Sequence, residues 1–320
     1  MKKIIMLASL MLVTIGLAAC GKEEVAKDKE QLKIVTSFYP MYDFTKQVTQ
    51  DKADVSMLID GGLETHDYEP SAKDMAKIQD ADVFIYNSNE METWVKDVLK
   101  NIDTSKVRVI EASEGIELLS GEASHEEHGD EEDHEGHDHE HDHDHSHAYD
   151  PHVWLDPVLA KKEVETITKG LIASDEANKE VYQKNADAYT KQLDELDASY
   201  KEAFKDAKVK KFVTQHTAFS YLAHEYGLEQ IAISGLSPDQ EPTPKELKKI
   251  QDLVKSENID VIYTESSASE KIAKTVADAT GAQLAVLNPM ESVSKKDRDS
   301  GVNYVSIMTS NLEALKLSVK

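Results

Sequence analysis

KFVTQHTAFSYLAHEYGLEQIAI, residues 211–233, decides the fold. FVTQ (212–215) is short, apolar and β-branched, so it reads as a strand. A helical stretch then runs through Tyr226, and Gly227 ends it. EQIAI (229–233) is the next strand. Two short strands separated by a helix form a βαβ unit, which requires a parallel sheet. His216 stands where the first strand gives way to the helix, a position where binding residues concentrate.

The same alternation extends outward in both directions. Downstream, Pro242 and Pro244 precede a helix over Lys245–Ser256. VIYTE (261–265) reads as a strand, 269–280 as a helix ended by Gly281, LAVLN (284–288) as a strand and 303–317 as a last helix. Upstream, KIVTS (33–37), VSMLI (55–59), VFIYN (83–87) and VRVIEA (107–112) read as strands. Helical stretches at 40–50, Ser71–Gln79 and Glu92–Ile102 separate them. The two halves match in content, so we expect two α/β lobes with parallel sheets. Between them, 157–207 is mostly helical, and Asp175–Ala207 contains neither Gly nor Pro. A helix of that length, ~45 Å at 1.5 Å per residue, is long for one lobe and is expected to bridge two. Ligands of open α/β sheets sit outside the carboxyl ends of the strands. The expected site therefore lies in the cleft between the lobes. The expected boundaries are an N-terminal lobe over 32–157, a linking helical segment over 158–207 and a C-terminal lobe over 208–320.

Residues 122–148 interrupt the pattern. They hold His, Asp, Glu and Gly with almost nothing apolar, and are expected to form a disordered loop inserted into the first lobe. Of the chain's 13 histidines, nine lie there: His125, His128, His134, His137, His139, His141, His143, His145 and His147. Tracts of this composition bind metals. Many weak ligands on a mobile segment raise the local metal concentration, so the loop is expected to collect metal for a tighter site.

The N-terminus reads as an export signal over 1–19. Lys2 and Lys3 precede an apolar run, Ile4–Leu17, that is too short to span a bilayer comfortably. Leu17-Ala18-Ala19-Cys20 resembles the lipobox of bacterial lipoproteins. Cys20 is the only cysteine, so no internal disulfide is possible and lipidation (a palmitate-type anchor) accounts for it. Residues 20–31 read as a charged tether. The net charge of −25 argues against nucleic acid as a partner. No GxxxxGK[ST] loop and no HExxH occur.

Four histidines lie in ordered-looking sequence. His224, mid-helix, reads as a surface residue. His66 (ETHDYEP), His152 (DPHVWLDP) and His216 fall at strand exits or loops. Three imidazoles at such positions suit zinc, copper, iron or nickel, and one carboxylate would complete a zinc tetrahedron. Spacing leaves Glu265 (YTESS) and Glu291 (NPMES) both open as that carboxylate.

The motifs THDYEP, DPHVWLDP, VTQHTAFSYLAHEYGL, GLSPDQEPTPKEL and NPMES together resemble the zinc-binding lipoproteins of the cluster-9 (ZnuA-like) solute-binding family, over 32–320. The resemblance implies two α/β lobes bridged by a long rigid helix, with Zn2+ in the interlobe cleft. It also implies an extracellular receptor that is not an enzyme and serves the permease and ATPase subunits of an ABC importer. His66, His152 and His216 fall on the family's metal histidines, and Glu291 rather than Glu265 on its carboxylate. Thr65 departs from the proline often found before the first histidine, which weakens the match at that loop but removes no ligand. The family's manganese branch tends to carry carboxylates at the third and fourth ligand positions, whereas this chain has His216 and Glu291. Three alternatives stand beside the zinc reading: a manganese receptor, a zinc-dependent hydrolase, and a surface adhesin or metal buffer that works through the loop alone. Deleting 122–148 separates the last of these. Equilibrium dialysis should then find one tight zinc site retained, where the loop-only reading requires all binding to vanish.

Overall fold

A strand pattern repeated in both halves yields the same sheet twice. The computed structural model describes residues 31–121, 149–266 and 268–320. In the first lobe β1 (Leu32–Thr36), β2 (Ala53–Met57), β3 (Val83–Tyr86) and β4 (Arg108–Glu111) pair in parallel, in the order β2-β1-β3-β4. In the second, β5 (Lys211–Thr214), β6 (Glu229–Ala232), β7 (Val261–Thr264) and β8 (Gln283–Val286) repeat the permutation as β6-β5-β7-β8. Parallel neighbours need crossovers. These are α1 (Tyr39–Thr49), α2 (Ala72–Gln79) and α3 (Val95–Asn101) in one lobe, and α6 (Ser220–Glu225), α7 (Pro244–Ser256) and α8 (Lys271–Thr280) in the other.

Local chemistry sets several boundaries. Ser71 with Asp74, and Thr243 with Glu246, form reciprocal capping boxes at the starts of α2 and α7. These satisfy backbone N–H groups that a helix leaves unpaired. Gly281, at φ 85°, ends α8 in the left-handed conformation that glycine adopts without steric cost.

The linking segment forms two helices. α4 (Pro157–Ser174) stops at Asp175, whose φ of −141° lies outside the helical range. Its carboxylate accepts from Asn178 Nδ2 (2.6 Å) and Tyr182 Oη (3.0 Å). That pairing holds a 3₁₀ turn at Glu176–Asn178, so the long helix α5 begins only at Lys179 and ends at Phe204. It is 26 residues long, about two turns shorter than a helix over the whole of 175–207 would be. α5 still spans both lobes. Asn185 Nδ2 donates to the Val48 carbonyl of α1 (2.9 Å), and Tyr200 Oη to the Met308 carbonyl of α10 (Tyr304–Leu315; 2.7 Å). A short helix, α9 (Lys295–Asp299), precedes α10.

The period-2 alternation divides the second lobe's apolar residues. Val213 and Ile262 face a small cluster with Ile250, Val254 and Val276. Phe212 and Tyr263 face the other way, into a core that also holds Phe38, Phe84, Trp154, Met290 and Tyr304. That main core draws on both lobes. Trp154 Nε1 donates to the Pro289 carbonyl (2.8 Å), and Tyr304 Oη to the Trp154 carbonyl (2.7 Å). The two lobes are thus joined by packing as well as by a helix.

One buried carboxyl stands out where the linking segment packs on the first lobe. Glu163 of α4 is fully buried, and Asn87 Nδ2 donates to its Oε1 (2.8 Å). Burial raises its pKa well above the ordinary 4.5, and the neighbouring Glu92 adds to the rise. A carboxyl raised in this way stabilises the fold at low pH. That contribution is complete below the unfolded value and is lost as pH climbs through the folded one. Glu163→Gln keeps the Oε1 acceptor and removes the titration. Its melting temperature should fall less between pH 6 and 9 than the parent's, and equal slopes in thermal scans would contradict a protonated Glu163.

Candidate metal centre

Every sequence-expected ligand lies past the carboxyl end of a strand or in a loop beside one. His66 is in the loop after β2 and His152 just before the 3₁₀ turn Val153–Leu155. His216 lies two residues past β5 and Glu291 five past β8. The two matched sheets bring these ends together. His152 Nε2 is 3.3 Å from His66 Nε2, and Glu291 Oε1 is 3.5, 3.3 and 3.2 Å from Nε2 of His66, His152 and His216. Among the described residues this is the one group of His, Cys, Asp or Glu that converges in this way. A zinc tetrahedron with bonds of about 2.0–2.1 Å has edges of about 3.3–3.4 Å. Four of the six donor–donor distances are therefore close to that edge, and all six are within 4.8 Å. All four side chains are buried.

Two histidines are aimed from behind by the same device. Asp150 Oδ1 contacts His152 Nδ1 (2.7 Å) and accepts from the His152 backbone N–H (2.9 Å). Glu265 Oε1 contacts His216 Nδ1 (2.6 Å) and accepts from the His216 backbone N–H (3.1 Å). A carboxylate on Nδ1 keeps the proton there and turns Nε2 toward the centre. The two carboxylates that the sequence left open take different places. Glu291 joins the cluster, and Glu265 stands behind His216 as its orienting partner. Asp150 had not been singled out, although an acid two residues before a candidate ligand histidine is the available signal. His66 is carried by a loop whose backbone N–H at His66 donates to Glu64 Oε1 (3.1 Å). Thr65, where the family often has proline, ties that loop to the Glu291 segment. Its Oγ1 donates to the Glu291 carbonyl (3.1 Å), a bond that a proline could not make. His224 is exposed on α6. Cys20 and the nine histidines of 122–148 lie outside the described residues.

The electrostatics follow from burying one carboxylate among three rings. Burial acts to raise the pKa of Glu291, but the His216 charge, with hydrogen bonds from the three rings, holds it well below the usual carboxylate range. Burial acts to lower His152 and His216. Asp150 overcomes it at His152, and Glu265 with Glu291 at His216, so both lie above the ordinary value. At His66 burial prevails and the pKa is lowered. Burial, with Glu291 nearby, pushes Glu64 up to about 7. The raised values at His152 and His216 favour protons on those rings beside Glu291, so a cation binding there competes with protons. If all four donors held one zinc ion they would fill a tetrahedral shell, leaving no corner for the water that zinc hydrolysis needs.

Two lobes of parallel strands, one long connecting helix and a closed donor set between them define a solute-binding protein for a metal ion. The model of the family described as ZnuA, zinc-uptake complex component A, periplasmic, matches residues 34–317, and the chain belongs to that family. Its members are solute-binding receptors located outside the cytoplasm, not enzymes, and work with an ABC transporter in zinc uptake. The chain is 49% identical to the high-affinity zinc uptake system protein ZnuA of Bacillus subtilis (strain 168) over 306 residues, covering 94% of this chain and 93% of that protein. It is 49% identical to the zinc-binding lipoprotein AdcA of Streptococcus pneumoniae (strain R6) over 319 residues, 99% of this chain but 61% of AdcA. The crystal structure of the Zn(II)-bound ZnuA-like domain of pneumococcal AdcA matches with a TM-score of 0.75 at 46% identity, over 90% of this chain and 99% of that one. The laminin-binding protein Lmb of Streptococcus agalactiae, described as a bifunctional adhesin and metal transporter, matches with a TM-score of 0.76 at 40% identity, over 91% and 100%.

Because His152 and His216 hold protons more tightly than free imidazole, metal binding must release them, and affinity must fall as pH drops. Calorimetric zinc titrations near pH 7 in buffers of different ionisation enthalpy should show release of about one to two protons. Heats independent of the buffer would mean that the rings are already neutral.

Proposed function

We propose that this chain captures Zn2+ outside the cell through His66, His152, His216 and Glu291, and delivers it to the permease and ATPase subunits of an ABC importer. The spacing of the four buried donors carries the reading, because it matches the edges of a zinc tetrahedron. Two ligands come from each half of the sequence, so the ion ties the lobes together and its presence is imprinted on the surface where they meet. Three neutral nitrogens and one carboxylate favour zinc over manganese, which prefers oxygen. The zinc-bound state of the AdcA domain supports the same choice.

The finer assignments rest on the sequence. The likeness to lipoproteins such as AdcA supports a lipid anchor at Cys20 on the outer face of the membrane, after removal of 1–19. Among the described residues no helix is long and apolar enough to cross a membrane. The histidines of 122–148 act as an auxiliary metal collector. The lobe assignments, 32–157 and 208–320 around the linker 158–207, fit the two sheets. Similarity to Lmb favours a second reading, cell adhesion, alongside transport.

The test is calorimetric titration of zinc into the chain lacking 122–148, with His66, His152 and His216 all changed to Ala. Tight binding should weaken by several orders of magnitude, since one carboxylate remains of four ligands. Undiminished affinity would defeat the assignment.

A further inference from the structure

A captured ion would have no open route out. The exposures of the four donors are 7% (His66), 0% (His152), 0% (His216) and 3% (Glu291), so a segment must move before metal can leave. His152 and His216 are held from behind by carboxylates. His66 instead rides on a loop that is exposed from Asp60 to Leu63. What holds this loop is the segment that carries Glu291. Gly62 N–H donates to Ser292 Oγ (2.6 Å), and Thr65 Oγ1 to the Glu291 carbonyl (3.1 Å). Gly61 lies so close that a Cβ there would sit 3.2 Å from Ser294 Cα.

One side chain outside the donor set grips both segments. Arg298 of α9 donates through Nη1 to the Val293 carbonyl, two residues past Glu291. Through Nη2 it donates to Asp60 Oδ1 (2.6 Å), at the start of the His66 loop. Its guanidinium lies 5.8 Å over the Tyr42 ring of α1. The planar fork of arginine suits one group with two fixed acceptors, a role lysine cannot fill equally. Arg298 is 14% exposed by side chain and Asp60 56%, so the pair is anchored on one side and reachable by water on the other.

We propose that Arg298 is a positioning residue that clasps the His66 loop to the Glu291 segment and sets how slowly captured metal leaves. This rests on the reading that the cluster holds the ion. Asp60 is the releasable half of the clasp. A partner that competes for Asp60 or Arg298 would open the loop without touching a ligand, which is what a docking permease requires.

The test uses the full chain with Co2+ and Zn2+ as the metals, and Asp60→Asn, Arg298→Lys, Arg298→Ala and the exchanged pair Asp60→Arg with Arg298→Asp. Stopped-flow transfer of zinc to a chromophoric chelator gives the release rate, and the visible absorption of bound Co2+ reports the donor set. Loss of a charge-assisted hydrogen bond should speed release by about tenfold in Arg298→Ala, and by about threefold to tenfold in the more exposed Asp60→Asn. Arg298→Lys should fall between, and the exchanged pair should recover part of the loss, all with the parent's cobalt spectrum. A merely structural role would instead lower the melting temperature without ordering the release rates in this way. Asp60→Asn, on an exposed loop, carries the test if Arg298→Ala does not fold. Release rates within twofold of the parent, with an unchanged spectrum, overturn the clasp alone. A parent without the tetrahedral cobalt spectrum overturns the underlying site reading, and the clasp with it.

Discussion

A carboxylate buried among three imidazoles is the constraint on which the rest of the structure depends. Glu291 is 3% exposed and touches a ring nitrogen of His66, His152 and His216. Polar groups so far from water are costly unless every one is paired or bound to a cation. Protons can satisfy the cluster, and so can one divalent ion, but empty neutral rings around a bare carboxylate cannot do so equally well. The site is therefore built for exchange between two charged occupants. Its affinity is a competition, and the carboxylates behind His152 and His216 act on both competitors, strengthening the hold on protons as well as the basicity offered to a metal.

Such a cluster needs backbone that does not yield, and the duplicated sheet supplies it. Each lobe uses the same strand permutation, so each presents its strand ends toward the cleft. The use made of them is unequal. The second lobe contributes residues close behind its strands, with His216 after β5, Glu265 after β7 and Glu291 after β8. The first contributes from longer connections, with His66 in the loop past β2 and His152 on the approach to α4. What differs is the support behind each ring: carboxylates stand on Nδ1 of His152 and His216, whereas the His66 loop is tied to the Glu291 segment.

Much of this was legible in the sequence. Alternating β-branched runs and helical stretches are local signals, and they gave the eight strands and the two-lobed plan. The three candidate histidines stood out because each falls at a strand exit or in a loop. What escaped was set by distant partners. Asp175 looks like an ordinary helix-compatible acid until Asn178 and Tyr182 draw its carboxylate out of the helix. Glu265 and Glu291 share a residue type and a strand-end position. Only the third dimension decides which reaches the centre and which stands behind a ring. Thr65 shows the same limit from the other side, since its value lies in a bond to a residue far along the chain. α9 is five residues long, too short for periodicity to reveal.

How the protein opens follows from comparing two costs. Phe38, Trp154, Met290 and Tyr304 belong to one buried cluster that crosses between the lobes. Parting the lobes would expose several large side chains, at a cost on the order of 10 kcal/mol or more from apolar area alone. Lifting the His66 loop breaks a few hydrogen bonds and one part-exposed ion pair, each worth about 1–3 kcal/mol at most. Under the proposed function, lifting the loop is therefore the less costly route for metal exchange. A receptor of this kind can stay folded as one body while a single ligand, His66, is withdrawn. The fixed His152, His216 and Glu291 then form an incomplete shell from which the ion can pass to a better-furnished acceptor.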